Sequence, residues 1–254
     1  MRIVRFFYER LPRWGVVENN LIAVLKDHPF GKIEFTGEKA VFSKVVLCAP
    51  ACPSKIILVG LNYRDHAREL GMAVPKDPVI FLKPPSSLIA HQKNIVYPRN
   101  VKRLDYEAEL ALVIKKEGRF IKEKNASEHI LGYSCLNDVT ARDVQKKDGQ
   151  WTRAKSFDTF CPFGPWLETE LETDDLAIAS YLNGKLMQSS TTANVIFSVP
   201  FLLSYISRIM TLLPGDIIST GTPPGVGKMK NRDIIEVEIE GIGKLKNQVR
   251  MSGV

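Results

Sequence analysis

Along most of the chain, apolar residues come in short runs or alternate with polar ones, which is the spacing of strands rather than of helices. Before residue 50, alternation at Ile33-Glu34-Phe35 and at Ala40-Val41-Phe42 predicts a small sheet. Pro50 and Pro53 punctuate its end. Ile56-Ile57-Leu58-Val59 is an apolar strand closed by Gly60. Residues 61–71 then read as a short helix, with Asn62 as its cap and Gly71 as its stop. Further strands are expected at 79–82, 106–114, 131–136, 217–218, 234–239 and 244–249. Segments 176–181 and 185–188 flank Asn183-Gly184, a strong hairpin signal. Helical patterns recur only at 139–146 and, amphipathically, at 198–210. The balance predicts an α+β fold, mainly β, rather than a doubly wound parallel sheet.

Length sharpens the division of the chain. At 254 residues it suits one large domain with a small appendage. Residues 1–53 are read as a small sheet-rich N-terminal part, distinct from a catalytic domain over 54–254. No apolar run reaches the roughly 20 residues of a membrane span. The opening MRIVRFFYERLPRWG has no signal-peptide core. A cytoplasmic protein without a membrane partner is expected.

The net charge of +7 changes the picture little, because the positive residues are scattered in short pairs such as Lys115-Lys116 and Lys146-Lys147. They form no stripe interleaved with aromatics, so no nucleic-acid partner is expected. A basic surface does favour a small anionic substrate. Cys48, Cys52, Cys135 and Cys161 lack the paired spacing of a zinc site and read as structural thiols.

Three constellations can carry chemistry. In Asp105-Tyr106-Glu107-Ala108-Glu109-Leu110, strand alternation puts Glu107 and Glu109 on one face, about 7 Å apart. The pattern also fits a solvated strand face. The apolar continuation Ala111-Leu112-Val113-Ile114, however, carries the strand into a core, where paired carboxylates call for a cation. Asp138, between an apolar strand and a helix-like segment, is either a third ligand or a helix N-cap. His66 and Glu69 stand three apart on the short helix, so the carboxylate can hold the imidazole as a general base. Ser219-Thr220-Gly221-Thr222-Pro223-Pro224-Gly225-Val226-Gly227 can present backbone N–H groups to a carboxylate, and fits a plain turn equally.

Taken together, six ordered segments resemble the fumarylacetoacetate hydrolase family. They are Val59 to Glu69 (VGLNYRDHARE), Phe81 to Ser87 (FLKPPSS), Tyr106 to Leu110 (YEAEL), Asn137 to Gln145 (NDVTARDVQ), Ala154 to Asp158 (AKSFD) and Gly221 to Gly227 (GTPPGVG). The resemblance implies a mixed β-roll catalytic domain, a homodimer, and Mg2+ (or Mn2+ or Ca2+ in the same site). It implies that Glu107, Glu109 and Asp138 bind the metal. His66 and Glu69 would activate water, and Lys155 would reach the substrate or its ligand shell. Asn62, Tyr63, Arg142, Gln145 and Thr222 would border the substrate. The activity implied is hydrolysis of a carbon–carbon bond in an acylpyruvate or related small 2-oxo acid held on the metal. Isomerisation or decarboxylation of a hydroxyhepta-dienedioate-like or oxaloacetate-like acid is the close alternative, and a non-catalytic basic binding protein the distant one.

Overall fold

The computed structural model describes residues 1–253. Its main sheet runs from Phe35–Val41 through Leu21–Leu25, Leu11–Glu18 and Arg2–Tyr8 to Cys161–Glu168. It continues through Ile130–Asn137, Ala108–Ile114, Ile217–Ser219 and Ile56–Gly60, and ends at the edge strand Val79–Lys83. A second sheet is built from Lys185–Thr191, Ala177–Leu182, Ile234–Ile239, Gly243–Met251 and Asn94–Tyr97. A third, small sheet joins Thr140–Ala141, Leu104–Tyr106 and Gly227–Met229. The fold is α+β and mainly β, as the strand spacing predicts.

The helices are short: α1 (Arg64–Glu69), α2 (Arg142–Asp148), α3 (Thr152–Lys155) and α4 (Val199–Ile209). Helix α4 follows the predicted pattern. Ser198 caps it by accepting from the Phe201 N–H, and Val199, Leu202, Leu203 and Ile206 form its buried stripe. That stripe packs on Ile57, Val59, Leu112, Ile114 and Ile218, closing one face of the main sheet. The Asn183-Gly184 hairpin is present, with both residues at positive φ.

The N-terminal strands differ from the sequence expectation in one respect. They have their own apolar cluster of Val4, Phe6, Ile22, Val24 and Ala40. They nevertheless share a ladder with the rest, because Arg2 pairs with Glu168 and Ile3 with Leu167. The reason is the edge of Cys161–Glu168, whose free backbone groups need a partner strand.

Three local readings are corrected. Residues 106–114 are not one strand: one ends at Tyr106, the next begins at Ala108, and Glu107 sits at the junction of two sheets. Asn62 does not cap α1, since the cap position is Tyr63 and carries no side-chain bond. Asn62 is instead fully buried and ties two loops, bonding to the carbonyls of Phe197 and Thr220 and to the Phe197 N–H. Asp138 likewise caps nothing, because α2 begins after Ala141.

Candidate metal centre and active site

Register brings the three acidic residues together. Glu109 pairs with Leu136 and Ala108 with Asn137, so the ladder's next step sets Glu107 beside Asp138. The Asp138 N–H donates to the Glu107 carbonyl at 2.9 Å, and the Asn137 side chain accepts from the Glu107 N–H at 3.0 Å. As a result Glu107, Glu109 and Asp138 are all buried, each with an oxygen within 4.8 Å of the others.

Two of these carboxylates are surrounded by cations. Lys155 Nζ donates to Glu107 Oε2 at 2.9 Å and to Asp138 Oδ2 at 2.5 Å. Arg142 pairs with the other oxygen of Glu107 and, through Nε, with Asp105 at 2.9 Å. Burial alone would push the Glu107 carboxyl up, but the Lys155 and Arg142 charges reverse this and hold it well below the usual carboxylate range. Burial would likewise pull the Lys155 ammonium down, and the Asp138 and Glu107 charges raise it instead. Among the described residues Glu109 makes no ion pair, and it is held by the Ser219 hydroxyl at 2.5 Å and the Gly221 N–H at 3.1 Å. Burial first, then the Asp138 and Glu107 charges, push its carboxyl well up.

Lys83, a residue that sequence reasoning missed as a site residue, completes the floor. It is 1% exposed, and its ammonium donates to the carbonyls of Val139, Lys155 and Phe160 at 2.7–3.0 Å. Those bonds use all three protons. Asp138 Oδ1, 2.8 Å away, therefore feels its charge without a hydrogen bond and remains a buried oxygen with no donor. A raised carboxyl, an oxygen without a donor and three hard ligands converging on one point fit a hard divalent cation.

The expected dyad is present. His66 Nδ1 lies 2.8 Å from Glu69 Oε2, and the other Glu69 oxygen accepts from the Gly225 N–H at 3.1 Å. The glycine-rich loop thus orients Glu69, and through Gly221 it also holds Glu109. Gly221 has φ +90°, and a Cβ there would lie 2.8 Å from that of Asn62, so the turn requires glycine.

These residues line a cavity of about 370 Å3 containing His66, the triad, Arg142, Gln145, Lys155 and Thr222. An outer cavity of about 400 Å3 shares His66, Arg142, Gln145 and Lys146 with it, so the dyad stands where the two meet. Arg142 bonds Gln145 Oε1 at 2.7 Å, which leaves the amide nitrogen of Gln145 to face a ligand. Thr222 lines the cavity, although its hydroxyl donates to the Ala108 carbonyl and accepts from Gln188, both at 2.8 Å. Asn62 and Tyr63, expected at the substrate, lie outside the lining and are fully buried. The Tyr63 hydroxyl is pushed far up by burial and packs behind the strand that carries Glu109.

Sequence reasoning also missed Trp151, Phe81 and Gln188. Trp151 and Phe81 form one cavity wall, their rings edge-to-face with centroids 5.1 Å apart. Gln188 is buried and joins the Ala108 N–H, Ser180, Thr222 and the Pro223 carbonyl. Phe81 heads one of the six family-like segments but has no role there, whereas Trp151 and Gln188 stand in no chemically telling spacing, so only the fold reveals them.

The family model for the fumarylacetoacetate (FAA) hydrolase C-terminal domain matches residues 55–250. The chain belongs to the fumarylacetoacetate hydrolase family. A second model, Rv2993c-like N-terminal, matches residues 1–50. The chain is 43% identical over 220 residues to the mitochondrial oxaloacetate tautomerase FAHD2B of Bos taurus, covering 82% of this chain and 70% of that one. Among solved structures, the 5-carboxymethyl-2-hydroxymuconate delta-isomerase of Mycobacterium smegmatis superposes with TM-score 0.95 at 40% identity, over 99% of this chain and 100% of that one. The fumarylacetoacetate hydrolase of Exiguobacterium antarcticum gives 0.89 at 37%, with the same coverage. Family members thus include isomerases, tautomerases and hydrolases, and this chain is an enzyme of that kind.

Proposed function

We propose that the protein hydrolyses a carbon–carbon bond in a small acylpyruvate-like 2-oxo acid, with a divalent cation held by Glu107, Glu109 and Asp138. The observation that carries this reading is the His66–Glu69 pair, fixed by the Gly225 N–H at the junction of the two cavities. A cation of the Mg2+ type (Mn2+ or Ca2+ suits the same oxygens) supplies Lewis acidity to the oxygens of a 2-oxo carboxylate. The 2-oxo acid end lies in the inner cavity beside Lys155, and the acyl half extends past His66 into the outer one. Glu69 holds Nδ1 of His66, and Nε2 takes a proton from water, which adds to the acyl carbonyl. The carbon–carbon bond breaks toward the inner cavity, where the cationic side chains Lys155 and Arg142 lower the energy of the developing enolate.

A second reading is favoured by the relatives. Those named as tautomerase and isomerase are 43% and 40% identical to this chain, against 37% for the hydrolase. In that reading His66 moves a proton on the carbon next to the 2-oxo group and no water adds. Assays of acylpyruvate cleavage and of oxaloacetate enolisation, on wild type and His66→Ala, separate the two. Hydrolysis should fall by roughly a hundredfold to ten-thousandfold in the variant, with Mn2+ affinity unchanged. Fast enolisation with no acylpyruvate cleavage by the wild type would replace the first reading with the second.

A further inference from the structure

Asp105 lies outside the cavity that holds the triad, at the wall of the neighbouring cavity that Arg103 and Arg142 also line, and its side chain is fully buried. Two guanidinium groups surround it. Arg103 Nε lies 2.9 and 3.2 Å from its two oxygens, and Arg142 Nε lies 2.9 Å from Oδ2. Arg142 reaches onward to Glu107 Oε1 and Gln145. The contacts form a line of alternating charge, Arg103–Asp105–Arg142–Glu107, running from a half-exposed arginine to a ligand of the proposed metal site.

We propose that Asp105 is a positioning residue that keeps Glu107 available to the cation. A guanidinium and a divalent cation compete for the same carboxylate. Asp105 shares the Arg142 charge and fixes its Nε edge, so that Arg142 steadies Glu107 without closing over it. Without that carboxylate, the Arg142 charge has Glu107 as its remaining anionic partner and becomes a stronger competitor. Arg103 acts in the opposite sense, because it draws Asp105 away from Arg142. Substitutions along the line therefore alternate in sign, which a packing role alone would not produce.

The inference rests on the metal site proposed above, and its test uses Mn2+ alone, titrated into the purified full chain and followed by electron paramagnetic resonance. Asp105→Asn should weaken Mn2+ binding by roughly ten- to a hundredfold, the usual effect of losing an outer-shell partner. Asp105→Glu should recover part of that loss. Arg103→Gln should bind Mn2+ as tightly as the wild type or more tightly, and it remains informative if Asp105→Asn fails to fold. Wild-type protein that takes up no Mn2+ would overturn the metal site itself. Tight wild-type binding combined with an unchanged Asp105→Asn, or with an Arg103→Gln weakened like it, would overturn the role of Asp105 alone.

Discussion

Replacing Glu109 by glutamine removes one of three carboxylate charges while keeping an oxygen for the Ser219 hydroxyl and the Gly221 N–H. Unit charges within the 4.8 Å of the triad repel by about 3–4 kcal/mol per pair at an effective dielectric near 20. Lys155, Arg142 and Lys83 cancel most of this, which leaves a relief of about 1–3 kcal/mol. The carboxyl of Glu109 is raised in the folded state. In chelator, the stability linked to its proton is therefore complete below the unfolded carboxyl range and is lost as pH rises through the folded value. The advantage of Glu109→Gln should consequently grow with pH and reach about 2–10 °C in Tm at pH 8. Excess Mn2+ should reverse the order. Saturation at a hundredfold over Kd stabilises a competent site by about 2.7 kcal/mol, and the variant has lost a ligand. Thermal melts of both proteins, in chelator and in Mn2+ at several pH values, make the comparison. A variant less stable than wild type in both conditions would refute the reasoning, since Glu109 would then be a structural partner of the loop rather than a strained ligand.

Gln188→Leu should destabilise the fold by about 2–4 kcal/mol in urea titrations, because buried groups at Ala108, Ser180, Thr222 and Pro223 lose their partner. Gly60→Ala places a Cβ 2.8 Å from the Trp151 ring, so the wall residue must shift. It should cost about 1–3 kcal/mol and raise KM more than it lowers kcat in steady-state assays. The chain is proposed to be a homodimer, and light scattering at working concentration should return about twice the 28.5 kDa of one chain.

Glu107, Glu109 and the His66–Glu69 pair could be read from the sequence because each uses local spacing: alternate residues of an extended segment, and residues three apart on a helix. Asp138 stays open between a third ligand and a helix cap until the six-segment resemblance, because pairing register rather than spacing sets it beside Glu107. The break at Glu107 was hidden, since Tyr106 and Ala108 both continue an apolar pattern while belonging to different sheets. The N-terminal part reads as sheet-rich, but the strands Arg2–Tyr8 and Leu11–Glu18 are not individually legible, because charged and aromatic residues interrupt their alternation. The resemblance implies that Asn62 and Tyr63 border the substrate, yet both side chains are fully buried and lie outside the cavity lining. Lys83 illustrates the general difficulty: a lysine reads as surface, and only the three carbonyls around it explain its burial.

The junction at Glu107 has a mechanical consequence. Glu109 rides on the large sheet, whereas Glu107 sits between the two sheets, directly after Tyr106 of the small three-stranded one and directly before Ala108 of the large one. A cation shared between them would act as a rivet through two plates, and the distance between the ligands would record how those plates sit. Sliding the small sheet by a fraction of an ångström would open or tighten the ligand set with no change in any liganding side chain. Gly227–Met229, the far strand of that plate, is continuous with the loop that holds Glu69. Fastening the plates would therefore also set the stance of the base.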